Sequence, residues 1–189
     1  LYGEGYDEAC KYAVKLAEER GCTFIHPFND LDVVTGQGTI AMEIIQELPT
    51  VDYILVPVGG GGLLTGVATL AKMLNPKIKV VGVEPVEAAS MSAALAAGEV
   101  VELESANTIA DGTAVRAVGD KLLPYVQQNV DGVLLVDDDE LIGVFLDLVE
   151  NHKMVVENSG MLTVAALKQM DLDREKDPNW YKKNDILGM

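Results

Sequence analysis

The sequence is poor in basic residues and in long apolar runs. Lysine and arginine number 14 against 30 aspartate and glutamate residues, which gives the 189-residue chain a formal net charge of −16. A surface of that sign repels phosphate backbones and anionic lipid, so we expect neither nucleic acid nor a membrane surface as a partner. No charge-free run approaches the roughly 18 residues that a membrane-spanning helix needs.

Cysteine is also scarce. The chain has 2 cysteines, Cys10 and Cys22, and they lack the spacing of metal ligands. A disulfide scaffold is therefore not expected, and the reducing cytoplasm is the simplest setting for the protein.

Apolar runs alternate with segments of helical periodicity along most of the chain. Helices are predicted over residues 6–20, 39–48, 62–74, 88–97, 121–129, 138–151 and 159–170, and strands over residues 22–27, 51–58, 77–85 and 132–136. Continuous apolar strands between helices predict an open α/β domain, with a mainly parallel sheet covered by helices on both faces. We assign residues 1–170 to this domain and 171–189 to a polar connecting tail.

The stretch "VPVGGGGLLTG" places four consecutive glycines, Gly59 to Gly62, between a predicted strand and a predicted helix. Ligands of open α/β folds bind outside the carboxyl ends of the strands. Bare backbone can approach an anion closely there, and the helix dipole favours negative charge. The loop lacks lysine and the spacing of a nucleotide triphosphatase. We favour a phosphate-binding loop over a tight turn, because a turn needs only one or two glycines.

Five motifs in order, from about His26 to Leu167, carry a family resemblance. They are "HPFNDLDVVTGQGTIAMEI", "VPVGGGGLLTG", "VVGVEP", "TIADG" and "VVENSG". Together they resemble the fold-type II pyridoxal-phosphate enzymes, and within that group the threonine dehydratases, with serine racemase as a close relative. The resemblance implies the larger, tryptophan synthase β-like domain of such an enzyme, with the cofactor phosphate on the glycine loop.

The resemblance also implies which residues contact the cofactor. These are Phe28, Gly59, Gly60, Gly61, Gly62, Leu63, Gly112 and Glu157. From the residues alone, "TIADG" is interpreted as an Asx-type turn, "VVENSG" as a helix cap and "TGQGT" (35–39) as a helix-start turn. The resemblance places all three segments near the cofactor cleft. Phe28 stands where serine racemase has an asparagine, and this favours the dehydratase branch.

A cation site is a further expectation. Alone, Glu84 reads as a solvated strand end, but resemblance to serine racemase implies a site formed by Glu84, the Ala88 carbonyl and Ser90. Serine in place of the family's aspartate removes a charged oxygen ligand, which weakens binding of a hard divalent cation. A divalent or a monovalent cation therefore stays an expectation.

Several other residues are interpreted as structural. The two histidines, His26 and His152, have no partner in a recognisable catalytic arrangement. The aromatic residues Tyr6, Tyr12 and Trp180 are interpreted as packing residues.

Three segments of the family have no counterpart in this sequence. They are the catalytic lysine segment (S-x-K-x-R-G-like), the loop that binds the substrate carboxylate, and the C-terminal S-G-G-N-like segment. We therefore interpret the chain as part of a longer protein whose Schiff-base lysine lies outside it, and expect no activity by this route if the chain is complete. The implied reaction is dehydration and deamination of L-threonine, or L-serine, to 2-oxobutyrate, or pyruvate, and ammonia. The alternatives are a serine racemase-like enzyme and a non-catalytic phosphate-binding or cofactor-binding fragment. A homo-oligomer, dimeric or tetrameric, is expected.

Overall fold

The protein alternates helices with strands over most of its length. The structure, a computed structural model, describes residues 2–3 and 5–176. Its elements are α1 (Tyr6–Arg20), α2 (Leu31–Glu47), β1 (Tyr53–Pro57), α3 (Gly62–Leu74), β2 (Lys79–Pro85), α4 (Ser90–Ala97), α5 (Leu123–Asn129), β3 (Gly132–Val136), α6 (Asp138–Glu150) and α7 (Asn158–Lys176), with short 3-10 turns at Val86–Ala88 and Asp111–Thr113. None of the helices described is long and apolar enough to cross a membrane.

The three strands form one parallel sheet in the order β1-β2-β3. Tyr53 pairs with Lys79 at one end of the sheet, and Val81 pairs with Gly132 further along. Because all three strands run in the same direction, their carboxyl ends lie along one edge. The loops that follow β1 and β2 therefore leave the sheet side by side.

Side chains alternate between the two faces of the sheet. Ile54, Val56 and Val80 lie in a buried cluster with α3, while Val83 and Val136 lie in a second cluster with α6 and α7. Two separate apolar cores require helices on both faces. The predicted open α/β fold is thus confirmed.

The predicted strand over 22–27 was wrong. This segment has no regular secondary structure, and Ile25 within it is 67% exposed. Its alternating pattern suits an extended chain, but a strand also needs a neighbour to pair with, and none of the described strands lies beside it. Pro27, which has no N–H to donate, further weakens such pairing.

Helix α2 begins eight residues before the predicted start at Thr39, because Asp30 caps it by accepting the Asp32 and Val33 N–H groups. "TGQGT" is therefore helix interior and not a helix-start turn. Gly38 serves packing against α3: a Cβ on Gly38 would lie 3.3 Å from the Gly66 carbonyl, and one on Gly66 would lie 2.8 Å from the Gly38 nitrogen, whereas a Cβ on Gly36 would meet open space. Gly38 and Gly66 thus allow the two helices to touch.

The predicted end of the last helix at residue 170 was also wrong, whereas the domain boundary placed there stays a prediction. Helix α7 continues to Lys176, through the first six residues of the segment predicted as a polar tail. The remainder of that tail, including the predicted packing residue Trp180, lies outside the described residues. Tyr12 does pack as expected, stacked on Tyr2 with ring centroids 4.0 Å apart.

Candidate functional site

A cleft of about 480 Å³ opens at the carboxyl edge of the sheet. It lies where β1 ends and α3 begins, which is where ligands bind in open α/β folds. All eight residues predicted to contact a cofactor line it, namely Phe28, Gly59, Gly60, Gly61, Gly62, Leu63, Gly112 and Glu157. The structure thus brings together residues from four separate parts of the chain.

The glycine loop presents a row of backbone donors to this cleft. In the part of the chain that the structure describes, the N–H groups of residues 59–64 donate to no protein acceptor, and the first helical bond of α3 runs from Thr65 N–H to the Gly61 carbonyl at 2.9 Å. Gly60, Gly61 and Gly62 are nevertheless buried. A buried, unpaired N–H costs about 1–3 kcal/mol, so a row of them calls for an acceptor from outside the protein.

Gly61 gives the loop its shape. Its φ of 95° lies in the left-handed region, which favours glycine. Its carbonyl accepts both the N–H and the hydroxyl of Thr65, at 2.9 and 2.7 Å. These two bonds tie the carbonyl to the first turn of α3, so the loop turns sharply from β1 into the helix.

The glycines also accommodate close contacts within the protein. A Cβ on Gly60 would fall on the ring of Phe28, and one on Gly62 would lie 2.9 Å from the Phe28 Cβ. A Cβ on Gly59 would lie 3.1 Å from the Thr113 Cα. Part of the close approach expected at this loop therefore comes from the protein itself.

Phe28 forms one wall of the cleft together with other aromatic rings. Its ring meets the His26 ring edge-on, with centroids 4.6 Å apart, and lies 5.8 Å from the Tyr6 ring. Tyr6, interpreted from the sequence as a packing residue, also lines the cleft. Helical spacing identified its helix but gave no signal that the helix would begin beside Phe28.

The opposite wall is built from the Asp111–Thr113 turn and the start of α7. The Gly112 N–H is 3.1 Å from the Asp111 carboxylate, but the N–H two residues on, that of Thr113, donates to the Ala110 carbonyl at 2.9 Å, so the predicted Asx-type turn was wrong. A Cβ on Gly112 would lie 2.8 Å from the Ser159 hydroxyl and 3.1 Å from the Glu157 carboxylate. Any larger residue at position 112 would therefore disturb this wall.

Glu157 is a helix cap as well as a lining residue. Its carboxylate accepts the Ser159 and Gly160 N–H groups at 3.1 and 3.3 Å, while the Asn158 amide donates to the Ile109 carbonyl. The cap predicted in "VVENSG" is thus supplied by Glu157. The Ser159 hydroxyl is buried beside it and has no partner among the described residues.

The ionisable groups lining the cleft are Asp111, Glu157 and Tyr6, and no lysine, arginine or histidine of the described chain is among its lining residues. Attraction for an anion therefore comes from the unpaired N–H groups and from the dipole of α3. These donors fit a phosphate group, which offers several acceptor oxygens at one point.

The predicted cation ligands lie away from this lining. All three are buried: Glu84 lies within β2, next to its last residue, and Ala88 and Ser90 follow that strand. The Glu84 carboxylate caps α4, since it accepts the N–H groups of Met91 and Ser92 at 2.6 and 2.9 Å and the Ser92 hydroxyl at 2.8 Å. Burial raises the pKa of Glu84, and these hydrogen bonds oppose that shift. Across the described residues, no cluster of three or more histidine, cysteine or acidic side chains could hold a metal ion.

The protein has an open α/β fold, and a row of backbone N–H donors lies where β1 passes into α3. This combination is typical of cofactor-binding domains. The chain belongs to the pyridoxal-phosphate dependent enzyme family, which it matches over residues 1–180.

Among curated relatives, the chain is 45% identical over 188 residues to the biosynthetic L-threonine dehydratase IlvA of Haemophilus influenzae, covering 100% of this chain and 35% of the relative. It is 42% identical over 177 residues to the L-threonine ammonia-lyase of Thermotoga maritima, covering 93% of this chain and 44% of the relative. The chain therefore spans less than half the length of these relatives.

Solved structures show the same kinship. The processed form of threonine deaminase isoform 2 from Solanum lycopersicum aligns with a TM-score of 0.83 at 41% identity, over 87% of this chain and 48% of that one. Maize serine racemase aligns with a TM-score of 0.84 at 35% identity, over 94% and 53% of the two chains. The resemblance stated from the sequence motifs is confirmed.

Proposed function

We propose that the protein carrying this chain is a pyridoxal-phosphate-dependent threonine ammonia-lyase, which converts L-threonine to 2-oxobutyrate and ammonia and L-serine to pyruvate and ammonia. The observation that carries the proposal is the row of unpaired N–H groups at residues 59–64, at the head of a cleft of about 480 Å³. The names of the relatives, L-threonine dehydratase and L-threonine ammonia-lyase, support the substrate and the reaction.

Within this proposal, Gly59 to Leu63 donate their N–H groups to the cofactor phosphate. Phe28 shapes one wall of the cleft, and Gly112 and Glu157 shape the other. When bound, pyridoxal phosphate supplies an electron sink for carbanion chemistry at the substrate α-carbon. The chain's own contribution is to bind and orient the cofactor and to exclude water around it. The catalytic lysine is proposed to lie outside this chain.

The direct test is an assay of the purified protein with pyridoxal phosphate and L-threonine. The proposal expects 2-oxobutyrate and ammonia in equal amounts, and a cofactor absorption band that borohydride converts into a stable adduct. Binding without turnover, and without a reducible band, would leave only the non-catalytic cofactor-binding fragment.

A serine racemase-like activity is the second candidate, and the alignment with maize serine racemase favours it. Chiral analysis of the products from L-serine separates the two. Formation of D-serine at a rate comparable to keto acid release would favour the racemase, whereas keto acid release with all remaining serine in the L configuration favours the lyase.

Four accompanying features are part of the proposal: a cytoplasmic location, a homo-oligomeric state, a role in isoleucine biosynthesis and a cation at Glu84, Ala88 and Ser90. The biosynthetic IlvA relatives support the pathway role.

For the cation, a change of stability on adding Mg²⁺ or K⁺ that is lost in Glu84→Gln would support the site. No difference between the two proteins would reject it.

A further inference from the structure

The segment that carries Phe28 to the glycine loop has no helix or strand of its own to hold it. It runs from the end of α1 to Asp30 without regular secondary structure. The Phe28 ring packs on the backbone of Gly60 and Gly62. Contacts of individual groups must therefore keep it in this position.

His26 supplies two of these contacts through one atom. Its Nδ1 accepts the N–H of Phe28 at 3.3 Å and the N–H of Asn29 at 3.0 Å. The edge-on contact of the His26 and Phe28 rings, inclined by 79°, adds to this hold. An Nδ1 that accepts hydrogen bonds carries no proton, so this geometry requires the neutral imidazole with its proton on Nε2.

Asn29 connects the same segment to the glycine loop. Its amide donates to the Asp120 carboxylate at 2.7 Å, and its side-chain oxygen lies 3.2 Å from the Lys121 N–H. In the same loop, residues 119–121, the Gly119 N–H donates to the Gly60 carbonyl at 3.0 Å. This loop therefore connects the turn at residues 26–29 to the backbone of Gly60.

We propose that His26 is a positioning residue for the cofactor cleft: as a neutral imidazole it holds Phe28 against Gly60 and Gly62, and on protonation it releases Phe28 and weakens cofactor binding. The proposal rests on the proposed function, since it takes the cleft to be the cofactor site. It assigns a positioning role to a histidine that its sequence context alone marked as structural.

The surroundings of His26 favour the neutral form. Burial lowers the pKa of His26 and the positive charge of Lys121 lowers it further, while Asp30 and Asp120 act in the opposite direction. Because the pKa is lower in the folded state than in the unfolded state, the unfolded protein binds the proton more readily. The stabilisation by His26 is therefore complete above the unfolded value of about 6.5 and is lost as the pH falls through the folded pKa.

The test compares wild type, His26→Asn and His26→Ala by titration with pyridoxal phosphate between pH 8 and pH 5. An asparagine oxygen can replace Nδ1 as the acceptor but does not titrate in this range. The cofactor phosphate does titrate near pH 6, and this contribution is common to all three proteins. We expect His26→Ala to bind about tenfold more weakly at pH 8, and wild type to lose more affinity than His26→Asn as the pH falls.

A second measurement needs no variant. Hydrogen exchange of the Phe28 and Asn29 amides, corrected for intrinsic rates, is expected to lose protection as the pH falls from 7 to 5. Unchanged protection would overturn the inference, as would equal affinity of wild type and His26→Ala while both bind the cofactor. A wild-type protein that binds no pyridoxal phosphate at any pH overturns the proposed function, and this inference with it.

Discussion

Polar groups are paired within the protein at the amino edge of the sheet and left unpaired at its carboxyl edge. At the amino edge, the Asp131 carboxylate accepts Lys72 at 2.6 Å, Lys79 at 2.9 Å and the Val80 N–H at 2.8 Å. At the carboxyl edge, the N–H groups of residues 59–64 have no acceptor among the described residues. Saturated polar groups stabilise a fold, whereas donors left without a protein acceptor at a cleft are available to a ligand.

The amino edge is a closed structural cluster. Burial raises the pKa of Asp131, but the hydrogen bonds from Lys72, Lys79 and Val80 outweigh it and hold the pKa below its usual value. Lys72 also donates to the Ile78 carbonyl at 2.7 Å, so α3 is fastened to the start of β2. This cluster lies at the far end of the sheet from the cleft, and the two edges can therefore be perturbed separately.

Asp131→Ala should give the largest loss of stability. It removes the counter-charge of Lys72 and Lys79 and leaves the Val80 N–H without its acceptor, although Lys72 keeps the Ile78 carbonyl, and this change costs about 3 kcal/mol. Denaturant unfolding measures this loss, and Asp131→Asn, which keeps one acceptor oxygen, should lose less. Affinity for pyridoxal phosphate under native conditions should stay within about twofold of wild type. A loss of affinity that parallels the loss of stability would show that the two edges are not independent.

Gly60→Ala should chiefly weaken cofactor binding. The new methyl group would fall on the Phe28 ring, so the ring must move, and we expect about tenfold weaker binding, equivalent to about 1.4 kcal/mol. Calorimetric titration with pyridoxal phosphate measures the change.

Phe28→Ala supplies the matched control for this substitution. If Gly60→Ala acts through the ring, adding it to Phe28→Ala should cost little more than Phe28→Ala alone. Fully additive losses would instead mean that the substitution disturbs the donor row itself.

The pair Gly61→Ala and Gly21→Ala should show the smallest effects. Both glycines have left-handed backbones, with φ of 95° and 63°, and each substitution should lower the free energy of unfolding by about 1 kcal/mol. Gly21 ends α1 with open space around it, whereas Gly61 sets the direction of the cleft donors. Only Gly61→Ala should therefore also weaken pyridoxal phosphate binding. Equal affinity in both variants would contradict the role given to the loop.

The sequence predicted the carboxyl edge better than the segments leading to it. Gly59 to Gly62 stand between an apolar strand and an amphipathic helix, and both patterns are local, so the loop could be located from the sequence. The early start of α2 could not, because the role of Gly38 inside the helix is contact with Gly66, a long-range partner. The irregular course of residues 22–27 likewise depends on which strands lie nearby.

Within the site, the residues were predicted but not their mutual contacts. Phe28 was identified by resemblance, yet its position over Gly60 depends on His26 and Asn29, whose hydrogen bonds link the segment to the loop at Asp120. Glu157 was expected at the cleft, and the structure adds that its carboxylate caps α7. Such pairings join distant parts of the chain, and no local periodicity encodes them.

The most direct test of the central claim is an amide NMR titration of the protein with pyridoxal phosphate, with pyridoxal as the matched ligand that lacks the phosphate. The claim that residues 59–63 hold the phosphate predicts large shifts of their amide signals with pyridoxal phosphate. With pyridoxal, those shifts should be small. Equal shifts with both ligands, or shifts confined to residues outside the glycine loop, would contradict it.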